Sequence, residues 1–439
     1  MIALIQAGGA GTRLKEITGD LPKPMVKIAG KPILQWQLES MVRSGVTKAY
    51  LVVSASSNAV QDYFGDGHEF GLEIEYIIES SPLGTGGALF YLQGLVKEDF
   101  IVCFGDLMLD VDWARFAEFH KERGGVITTF AHPNSHPQDS DILVADRKGK
   151  LLNLLPKKEP RNFYYHNLTN AGLYIVSAEF LDTFEGLEAP EKMDFEKDIL
   201  LPTIQSGCAY AYRSSEYVKD CGTPDRYYAV ERDCVNGVVT QRNLKTPQKC
   251  IFLDRDGTIN VFGDFVTKAD MLHLIPAAAR AIKRINESPY LAICVTNQPV
   301  IARGETTLAE LDAIHSKLED LLGEEGAYLN DLFYCPHHPD KGFPGERAEY
   351  KIRCDCRKPK IGMLNQAKAR YNIDFASSWM IGDTCQDVQT GINAGCKTIL
   401  LTGGDPNPYK KYGDAKPDYI CRDLEEAVDY ILSNQEKGE

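Results

Sequence analysis

Two aspartates lie two residues apart in the segment FLDRDGTIN, residues 252–260. The run CIFLD, residues 250–254, reads as a buried strand, so Asp254 ends the strand and Asp256 begins the following turn. One carboxylate in such a place is suited to attack phosphorus while its neighbour handles the proton. A helix-capping turn is the structural alternative. Two further polar strand ends, VTNQ at 295–298 and IGDTCQD at 381–387, favour a phosphate site.

A second set of candidate residues lies in YCPHHPDKGFPGERAEYKIRCDCRKPK, residues 334–360. Three thiolates and one imidazole form the closed tetrahedral set that a structural Zn²⁺ requires. The C-x-H and C-x-C pairs supply Cys335, His337, Cys354 and Cys356. His338 remains a rival ligand, and unrelated loop thiols are the structural alternative. Prolines and glycines between the pairs argue against a helix, so we expect metal binding to order the loop and to bring Arg357 and Lys358 to the phosphate site.

The third candidate is a glycine-rich turn, QAGGAGTRLKEITGDLPKP at residues 6–24, directly after the strand-like run 2–7. It lacks the GxxxxGK[ST] phosphate loop, and Leu14 stands where the dinucleotide fingerprint needs its last glycine. The backbone N–H groups of such a turn can approach phosphates closely. Arg13 and Lys23 then supply positive charge for a polyanion, which an ordinary strand–helix turn does not need.

The elements that must position these residues are short apolar runs alternating with helical periods. Leu34, Leu38, Met41 and Val42 fall at helical spacing, and 49–54, 291–297, 379–383 and 398–402 read as strands. This alternation predicts an α/β fold with two mostly parallel sheets. Ligands in such sheets bind at the carboxyl ends of strands. The strand-end Asp106 and the later Asp220 are therefore candidate Mg²⁺ ligands.

The length, composition and charge of the chain limit which class of protein it can be. A chain of 439 residues with 44% hydrophobic and 25% charged residues predicts two globular domains, placed here at 1–240 and 250–439 with a linker at 241–249. The N-terminus does not resemble a signal peptide, and no apolar run approaches the ~20 residues of a membrane helix. We therefore expect a cytoplasmic protein whose remaining cysteines are reduced core thiols. A formal charge of −14 argues against a nucleic-acid partner.

The GGxGTRL…PKP pattern, the PLGTGGAL loop at 82–89, the strand-end GD and the late D-x-GTP together resemble the sugar-1-phosphate nucleotidyltransferases over about residues 1–235. The resemblance implies a Rossmann-like, GT-A-like sheet and in-line attack of a sugar-1-phosphate oxygen on the α-phosphorus of a nucleoside triphosphate. It implies Mg²⁺ held by Asp106 and Asp220, with Arg13 and Lys23 on the phosphates. The residues implied to wrap the nucleotide are Gly8, Gly9, Gly11, Thr12, Gly84, Thr85, Gly86 and Gly87.

On the sugar side, the same resemblance implies contacts from Asn170 and Gly172 in TNAGLYIVS, residues 169–177. The family often has an EKP segment near the sugar phosphate, whereas this chain has LLPKKEP at 154–160. Lys157 and Lys158 therefore both stay candidates. Gln6 stands where the family usually has an apolar residue, and we expect it to face the base.

The strand ends of the second half resemble the haloacid dehalogenase-like (HAD-like) phosphatases over about residues 250–432. The resemblance implies a Rossmannoid domain with Asp254 as the nucleophile that forms an aspartyl-phosphate and Asp256 as general acid and base. Mg²⁺ would be held by Asp254, Asp383 and the backbone carbonyl of Asp256, with Asp387 in the outer shell. The residues implied to bind phosphate or substrate are Thr296, Asn297, Arg357 and Lys358.

DRDGTIN with CPHHP…CDCRKP…GM is similar to the heptose 1,7-bisphosphate phosphatases, which have the histidinol-phosphate phosphatases as close relatives. That family usually reads TNQSG.ARG, whereas this chain reads TNQPVIARG at 296–304. Pro299 has no backbone N–H, so a donor near the phosphate is missing. A catalytically degenerate HAD-like module that binds Mg²⁺ and phosphate without turnover is therefore one alternative.

Together the two resemblances imply a bifunctional enzyme. It would remove the 7-phosphate of D-glycero-α-D-manno-heptose 1,7-bisphosphate and transfer GMP from GTP to the resulting heptose 1-phosphate. The implied cofactors are Mg²⁺ in both domains and structural Zn²⁺ in the second. An alternative keeps the enzymes but changes the sugar to a mannose or glucose type, with another nucleotide and another phosphomonoester. The expected partners are small-molecule substrates, without nucleic acid or membrane, and homo-oligomerisation stays open.

Overall fold

The computed structural model describes residues 1–8, 19, 21–55, 58–404 and 414–435. The chain divides into two compact units. Unit 1 comprises Met1–His132, Leu143–Leu155 and Asn170–Lys245; unit 2 comprises Pro133–Ile142, Pro156–Thr169 and the chain from Thr246 onward. The last division falls inside the predicted linker, while two segments of the N-terminal half join unit 2. The domain boundaries themselves stay a prediction.

The described residues form strands and helices that alternate along the chain. The strands are β1 (Ile2–Gln6), β2 (Lys27–Ile28), β3 (Lys31–Pro32), β4 (Lys48–Ser54), β5 (Glu73–Glu79), β6 (Phe100–Phe104), β7 (Leu107–Asp110), β8 (Ile127–His132), β9 (Ile142–Ala145), β10 (Leu151–Leu155), β11 (Thr169–Val176), β12 (Ala209–Arg213), β13 (Tyr217–Asp220), β14 (Lys249–Leu253), β15 (Tyr290–Asn297), β16 (Asp331–Cys335), β17 (Trp379–Gly382), β18 (Lys397–Leu401) and β19 (Tyr419–Cys421). The helices are α1 (Ile33–Val42), α2 (Ala59–Phe64), α3 (Trp113–Arg123), α4 (Leu201–Gln205), α5 (Pro224–Val235), α6 (Val238–Gln241), α7 (Ala278–Asn286), α8 (Leu308–Glu324), α9 (Gly362–Tyr371), α10 (Cys385–Ala394) and α11 (Leu424–Gln435).

Unit 1 is built on a nine-stranded mixed sheet whose main path is β10–β9–β11–β6–β1–β4–β5, with β8 joined to β11 and β12. β1 lies between β4 and β6 and is parallel to both. β11 runs antiparallel to β6. The middle residues of β1 are fully buried, as expected for a parallel strand covered on both faces. Ala7 and Gly8 follow β1 at the carboxyl edge of the sheet, and most of the glycine-rich segment after them lies outside the described residues.

A short antiparallel pair, β7 with β13, lies outside the main sheet of unit 1. Its register places Asp220 opposite Leu107, the residue after Asp106. Two aspartates that are far apart in the sequence are thereby brought to the same end of one ladder.

Unit 2 is built on a six-stranded parallel sheet in the order β16–β15–β14–β17–β18–β19. The central strand β14 (KCIFL) is apolar after its first residue and buried, which is typical of parallel sheets covered on both faces. The α/β prediction for both halves is confirmed. Within the described part of the chain, no helix has the length and apolarity needed to cross a bilayer.

Candidate active sites

Three carboxylates meet at the carboxyl edge of the unit 2 sheet. Asp254 follows β14 and Asp383 follows the neighbouring parallel strand β17, whose register aligns Leu253 with Ile381. Asp387 lies in the first turn of α10, and one oxygen from each aspartate lies within 4.8 Å of the others. Carboxylate oxygens are the ligands that Mg²⁺ prefers. The structure thus brings the predicted Asp254 and Asp383 together.

The crowding of these carboxylates makes the site electrostatically suited to a cation. Burial, followed by the charge of Asp387, raises the pKa of Asp254. The same two causes raise the pKa of Asp383 to about 6. Like charges held together out of water favour neutral acids unless a cation joins them, so this donor set fits a divalent ion. Gly257 has φ 78°, and a Cβ there would lie 2.3 Å from Asp383 Oδ2.

Lys358 supplies a buried positive charge at the same place. Its Nζ lies 2.8 Å from Asp254 Oδ1 and 2.5 Å from Asp387 Oδ1. Its backbone N–H donates to Asn297 Oδ1 at 3.0 Å, and its carbonyl accepts from Asn297 Nδ2 at 3.2 Å. Asn297, predicted as a substrate-binding residue, therefore holds the backbone of Lys358 and directs its ammonium group toward the aspartates.

Asp256 is surrounded by donors that the sequence analysis did not single out. Arg255 Nη2 donates to both of its carboxylate oxygens at 2.9 Å. Gln298 Nε2 donates to Oδ2 at 2.9 Å, and Asn260 Nδ2 donates to Oδ1 at 3.0 Å. Burial alone would raise the pKa of Asp256, but Arg255 and these hydrogen bonds outweigh it, so the pKa is lowered. Gln298 also donates to Thr296 Oγ1 at 2.9 Å, so the predicted Thr296 belongs to this network.

The four residues predicted to bind Zn²⁺ form one cluster of potential metal ligands, namely Cys335, His337, Cys354 and Cys356. The Sγ atom of Cys335 lies 3.5 Å from that of Cys354 and 3.2 Å from that of Cys356. Nδ1 of His337 lies 3.3 Å from Cys356 Sγ. The donor set of three sulfurs and one imidazole nitrogen fits tetrahedral Zn²⁺. His338 lies outside this set, because its Nδ1 accepts from the backbone N–H of Asp340 at 3.2 Å.

The Cys/His cluster is connected through the chain to the cluster of Asp254, Asp383 and Asp387. Nη1 of Arg357 donates to the carbonyl oxygen of His337 at 3.2 Å, and Lys358 is the next residue. The loop that carries the cluster therefore ends at the lysine that contacts Asp254. The position of the Lys358 charge therefore depends on how this loop is ordered.

Unit 1 holds a second acidic site. Nζ of Lys23 lies 2.9 Å from Asp106 Oδ2, and the backbone N–H of Cys221 donates to the carbonyl of Asp106 at 3.1 Å. Arg226 Nη1 lies 2.6 Å from Asp220 Oδ2. Burial alone would raise the pKa of Asp220, but Arg226, a backbone hydrogen bond and the nearby charge of Lys23 lower it. The predicted Lys23, Asp106 and Asp220 are thus brought together, and their oxygens suit Mg²⁺.

The Gly84–Gly87 loop, predicted to contact the nucleotide, is tightly packed. Gly84 has φ 78°, and a Cβ there would lie 2.3 Å from the carbonyl oxygen of Met193, so only glycine fits. Nε2 of Gln6 donates to the carbonyl of Thr85 at 3.2 Å. Gln6 therefore contacts the loop that is predicted to meet the base.

Asn170, which is predicted to contact the sugar, is held by three side chains. Its Oδ1 accepts from Thr129 Oγ1 at 2.7 Å, and its Nδ2 donates at 2.7 Å to both Tyr174 OH and Glu196 Oε1. Gly172 has φ 73°, and a Cβ there would lie 2.8 Å from Phe104 Cδ2. Glu196 and Tyr174 belong to no motif whose spacing could have identified them from the sequence.

The remaining predicted residues of the nucleotidyltransferase site are placed less completely. Lys157 and Lys158 are exposed, and Lys157 N–H donates to Asp141 Oδ1 at 2.8 Å within unit 2. Gly8 is described, and a Cβ there would lie 3.4 Å from the backbone nitrogen of Ser54. Four predicted residues lie outside the described part of the chain, and their roles stay predictions: Gly9, Gly11, Thr12 and Arg13.

Comparison with known proteins finds two families in one chain. The model of the nucleotidyl transferase family matches residues 2–237, more than half of the 439 residues. The model of the HAD-hydrolase-like family matches residues 355–427. The D-glycero-beta-D-manno-heptose-1,7-bisphosphate 7-phosphatase of Haemophilus ducreyi is 36% identical over 186 residues, which cover 42% of this chain and 98% of that protein.

Two solved structures also match parts of the chain. The crystal structure of HddC from Yersinia pseudotuberculosis is 29% identical and covers 53% of this chain and 99% of that one, with a TM-score of 0.45. The crystal structure of D,D-heptose 1.7-bisphosphate phosphatase from B. bronchiseptica, complexed with magnesium and phosphate, is 32% identical. It covers 43% of this chain and 99% of that one, with a TM-score of 0.37.

Proposed function

The chain belongs to the nucleotidyl transferase family, and its second half is a HAD-like domain of the heptose-bisphosphate phosphatase type. We therefore propose that it catalyses two successive steps of nucleotide-sugar synthesis. The first step removes the 7-phosphate of D-glycero-α-D-manno-heptose 1,7-bisphosphate. The second transfers GMP from GTP to the resulting heptose 1-phosphate, which gives GDP-heptose and pyrophosphate. The observation that carries the proposal is the presence of two separate acid–lysine sites, Asp254 with Lys358 and Asp106 with Lys23.

In the phosphatase step, Asp254 attacks the phosphorus of the 7-phosphate and forms an aspartyl-phosphate. The P–O bond to the sugar breaks, and Asp256, which must enter this step protonated despite its lowered pKa, gives its proton to the leaving oxygen. Asp256 then takes a proton from the water that hydrolyses the aspartyl-phosphate. Lys358, buried against Asp254, balances the charge that develops on the phosphoryl oxygens. Thr296 and Arg357 complete the proposed phosphate and substrate contacts.

In the transferase step, an oxygen of the sugar 1-phosphate attacks the α-phosphorus of GTP and pyrophosphate leaves. Lys23 and Arg13 neutralise phosphate charge, and the Gly84–Gly87 loop meets the base and ribose. Asn170 and Gly172 line the sugar side. This reaction needs positioning and charge stabilisation more than covalent chemistry.

The proposed cofactors follow from the donor sets. Mg²⁺ would be held by Asp254, Asp383 and the backbone carbonyl of Asp256 in one site and by Asp106 with Asp220 in the other, where it would neutralise phosphate charge. Zn²⁺ would join the two arms of the 334–360 loop through its Cys/His cluster, which contributes folding energy rather than chemistry.

The choice of sugar and nucleotide is the finer part of the proposal. The Haemophilus ducreyi relative is named for the beta anomer of the bisphosphate, whereas we propose the α anomer because the resemblance pairs this sugar with GTP. The phosphatase product carries the 1-phosphate that the transferase half requires. The two reactions therefore form a sequence for either anomer.

Phosphorus NMR tests the proposal on the full chain with Mg²⁺, GTP and each anomer of the heptose bisphosphate in separate reactions. We expect inorganic phosphate to appear first, followed by pyrophosphate and a GDP-sugar doublet, with the α anomer only. Turnover of the β anomer alone would contradict the proposed choice of the α anomer. Phosphate release without a GDP-sugar would contradict the guanylyl step and would call for a panel of nucleoside triphosphates and sugar phosphates.

A further inference from the structure

Arg255, between the two aspartates of the DRDGT segment, is an unusual residue to bury. Its side chain is 0% exposed. An arginine keeps its charge in a protein interior, so every buried guanidinium must be matched by acceptors. Here the acceptors are Asp256, Gln298 and His315, which come from three separate segments of the chain.

The guanidinium group holds the whole carboxylate of Asp256. Nη2 donates to both carboxylate oxygens at 2.9 Å, and Nε donates to Oδ1 at 3.1 Å. Forked contacts of this kind fix the plane of a carboxylate as well as its distance. Arg255 makes three of the contacts that fix the rotation of Asp256 about its Cβ–Cγ bond, and Gln298 and Asn260 add one each.

Arg255 is itself held from two sides. Nη2 also donates to Oε1 of Gln298, the residue after the end of β15, at 3.1 Å. Nη1 lies 3.1 Å from Nε2 of His315 on α8. Because arginine can only donate, Nε2 of His315 must accept, and its ring proton lies on Nδ1. α8 begins with a capping box formed by Thr307 and Glu310, so His315 is presented by a capped helix.

We propose that Arg255 is a positioning residue for proton transfer, and that it orients Asp256 through a connection that begins at His315 and Gln298. The inference rests on the proposed phosphatase chemistry, in which Asp256 donates to the leaving oxygen and then accepts from water. Asp254 is held differently: its Oδ1 pairs with Lys358 Nζ and accepts from the backbone N–H of Arg255 at 2.7 Å, and a change of the Arg255 side chain leaves both groups in place. A change at Arg255 should therefore impair proton transfer and leave nucleophilic attack intact.

The competing explanation is purely structural, with Arg255 as a counter-charge for the aspartate cluster. The two explanations predict different reaction rates for substrates that differ in their leaving group. A p-nitrophenolate anion leaves without a proton, whereas a sugar alkoxide needs one. A structural defect lowers the turnover of both substrates together, but a misplaced acid spares the first step with p-nitrophenyl phosphate.

The test compares wild type with Arg255→Lys, which keeps the charge but loses the fork. For the heptose bisphosphate, kcat/KM should fall about 100-fold, the usual contribution of a positioned acid or base. For p-nitrophenyl phosphate, kcat/KM should persist while kcat falls, because water activation still needs Asp256. The first turnover should then appear as a burst of p-nitrophenolate. His315→Asn should show the same split to a smaller degree, and it serves as the second variant if Arg255→Lys folds poorly.

Arg280→Lys is the matched control, because Arg280 is 61% exposed on α7 and should leave both substrates unaffected. An equal loss of kcat/KM for both substrates, or no loss for either, would overturn the inference. If the wild type turned over p-nitrophenyl phosphate but not the heptose bisphosphate, the proposal that the heptose bisphosphate is the substrate would be contradicted. The split between kcat and kcat/KM on p-nitrophenyl phosphate would then still decide the role of Arg255. Turnover of neither substrate would overturn both proposals.

Discussion

Nζ of Lys358 lies 2.8 Å from Oδ1 of Asp254, and the same ammonium group contacts Asp387. Lys358 is only 3% exposed, so both ion pairs are largely shielded from water. One lysine thus balances two buried carboxylates that come from different elements. Removing one partner of such a set leaves charges uncompensated, which costs about 3–5 kcal/mol.

We predict that Lys358→Met loses phosphatase activity by at least about 100-fold, since a charge aimed at the phosphoryl group is removed. The midpoint of chemical unfolding of unit 2 should also fall. Lys283→Met is the matched control, because Lys283 is an exposed lysine of α7 and lies outside the loop that carries Lys358. Phosphate release and denaturant titration measure both effects. A Lys358→Met protein with wild-type activity would contradict the proposed role.

The Cys/His cluster gives a prediction about metal content. Cys356→Ser should reduce bound zinc from one equivalent to almost none, because a closed tetrahedral site needs all four ligands. The phosphatase should weaken, because the loop that carries Lys358 loses its brace. Cys208→Ser, which changes a partly exposed thiol outside the cluster, should change neither. Elemental analysis and phosphate release are the measurements, and full zinc content in Cys356→Ser would exclude this ligand set.

Asp106 and Lys23 give a prediction about the transferase half alone. Asp106→Asn should lower pyrophosphate release by about 100-fold or more, since a carboxylate that would hold Mg²⁺ beside the reacting phosphates is lost. Phosphatase activity should persist, because Asp254 and its partners lie in unit 2. Asp62→Asn, at an exposed aspartate of α2, is the control. Loss of both activities in Asp106→Asn would indicate a folding defect instead.

His166 gives a prediction about pH. Within unit 2 its Nε2 lies 3.2 Å from Asp312 Oδ1 and its Nδ1 lies 3.3 Å from Glu319 Oε1. Burial alone would lower the pKa of His166, but the two carboxylates outweigh burial and raise it to about 10. In the unfolded chain histidine titrates near 6.5. The stabilising contribution is therefore complete below about pH 6.5 and is lost as the pH rises toward 10.

His166→Gln should therefore lower the melting temperature most at pH 6 and progressively less up to pH 9.5. His68→Gln, at an exposed histidine of unit 1, should show no such trend. Thermal unfolding followed across this pH range measures the difference. A gap between wild type and His166→Gln that does not change with pH would show that the ion pairs contribute nothing.

The strand-end residues were predictable from the sequence because the carboxyl ends of parallel strands meet at one edge. Asp254 and Asp383 follow apolar runs, and their meeting needs only that β14 and β17 be neighbours. The Cys/His cluster was predictable in the same way, since ligand spacing limits which side chains can share a metal. His337 rather than His338 lies in the cluster, and spacing alone did not distinguish them.

The second layer of each site was not predictable. Arg255 lies between two aspartates, and nothing in its spacing reveals that it is fully buried against Asp256 and His315. Asn297, whose predicted substrate contact stays a prediction, holds the backbone of Lys358, and its position in the sequence did not reveal this. Contacts of this kind depend on which element packs beside another, and no local pattern encodes that choice.

The sequence by itself determined the two families and the α/β class of both halves, and it identified the candidate reactive residues. The families follow from the resemblance of short motifs to known proteins. The fold class and the candidate residues follow from local order, because apolar runs make buried strands and polar residues directly after them lie at a sheet edge. Only the tertiary structure decided the partners of those residues: Lys358 with Asp254, Lys23 with Asp106 and Arg255 with Asp256. Charge pairing acts over a few ångströms in space, and the fold sets which side chains come that close.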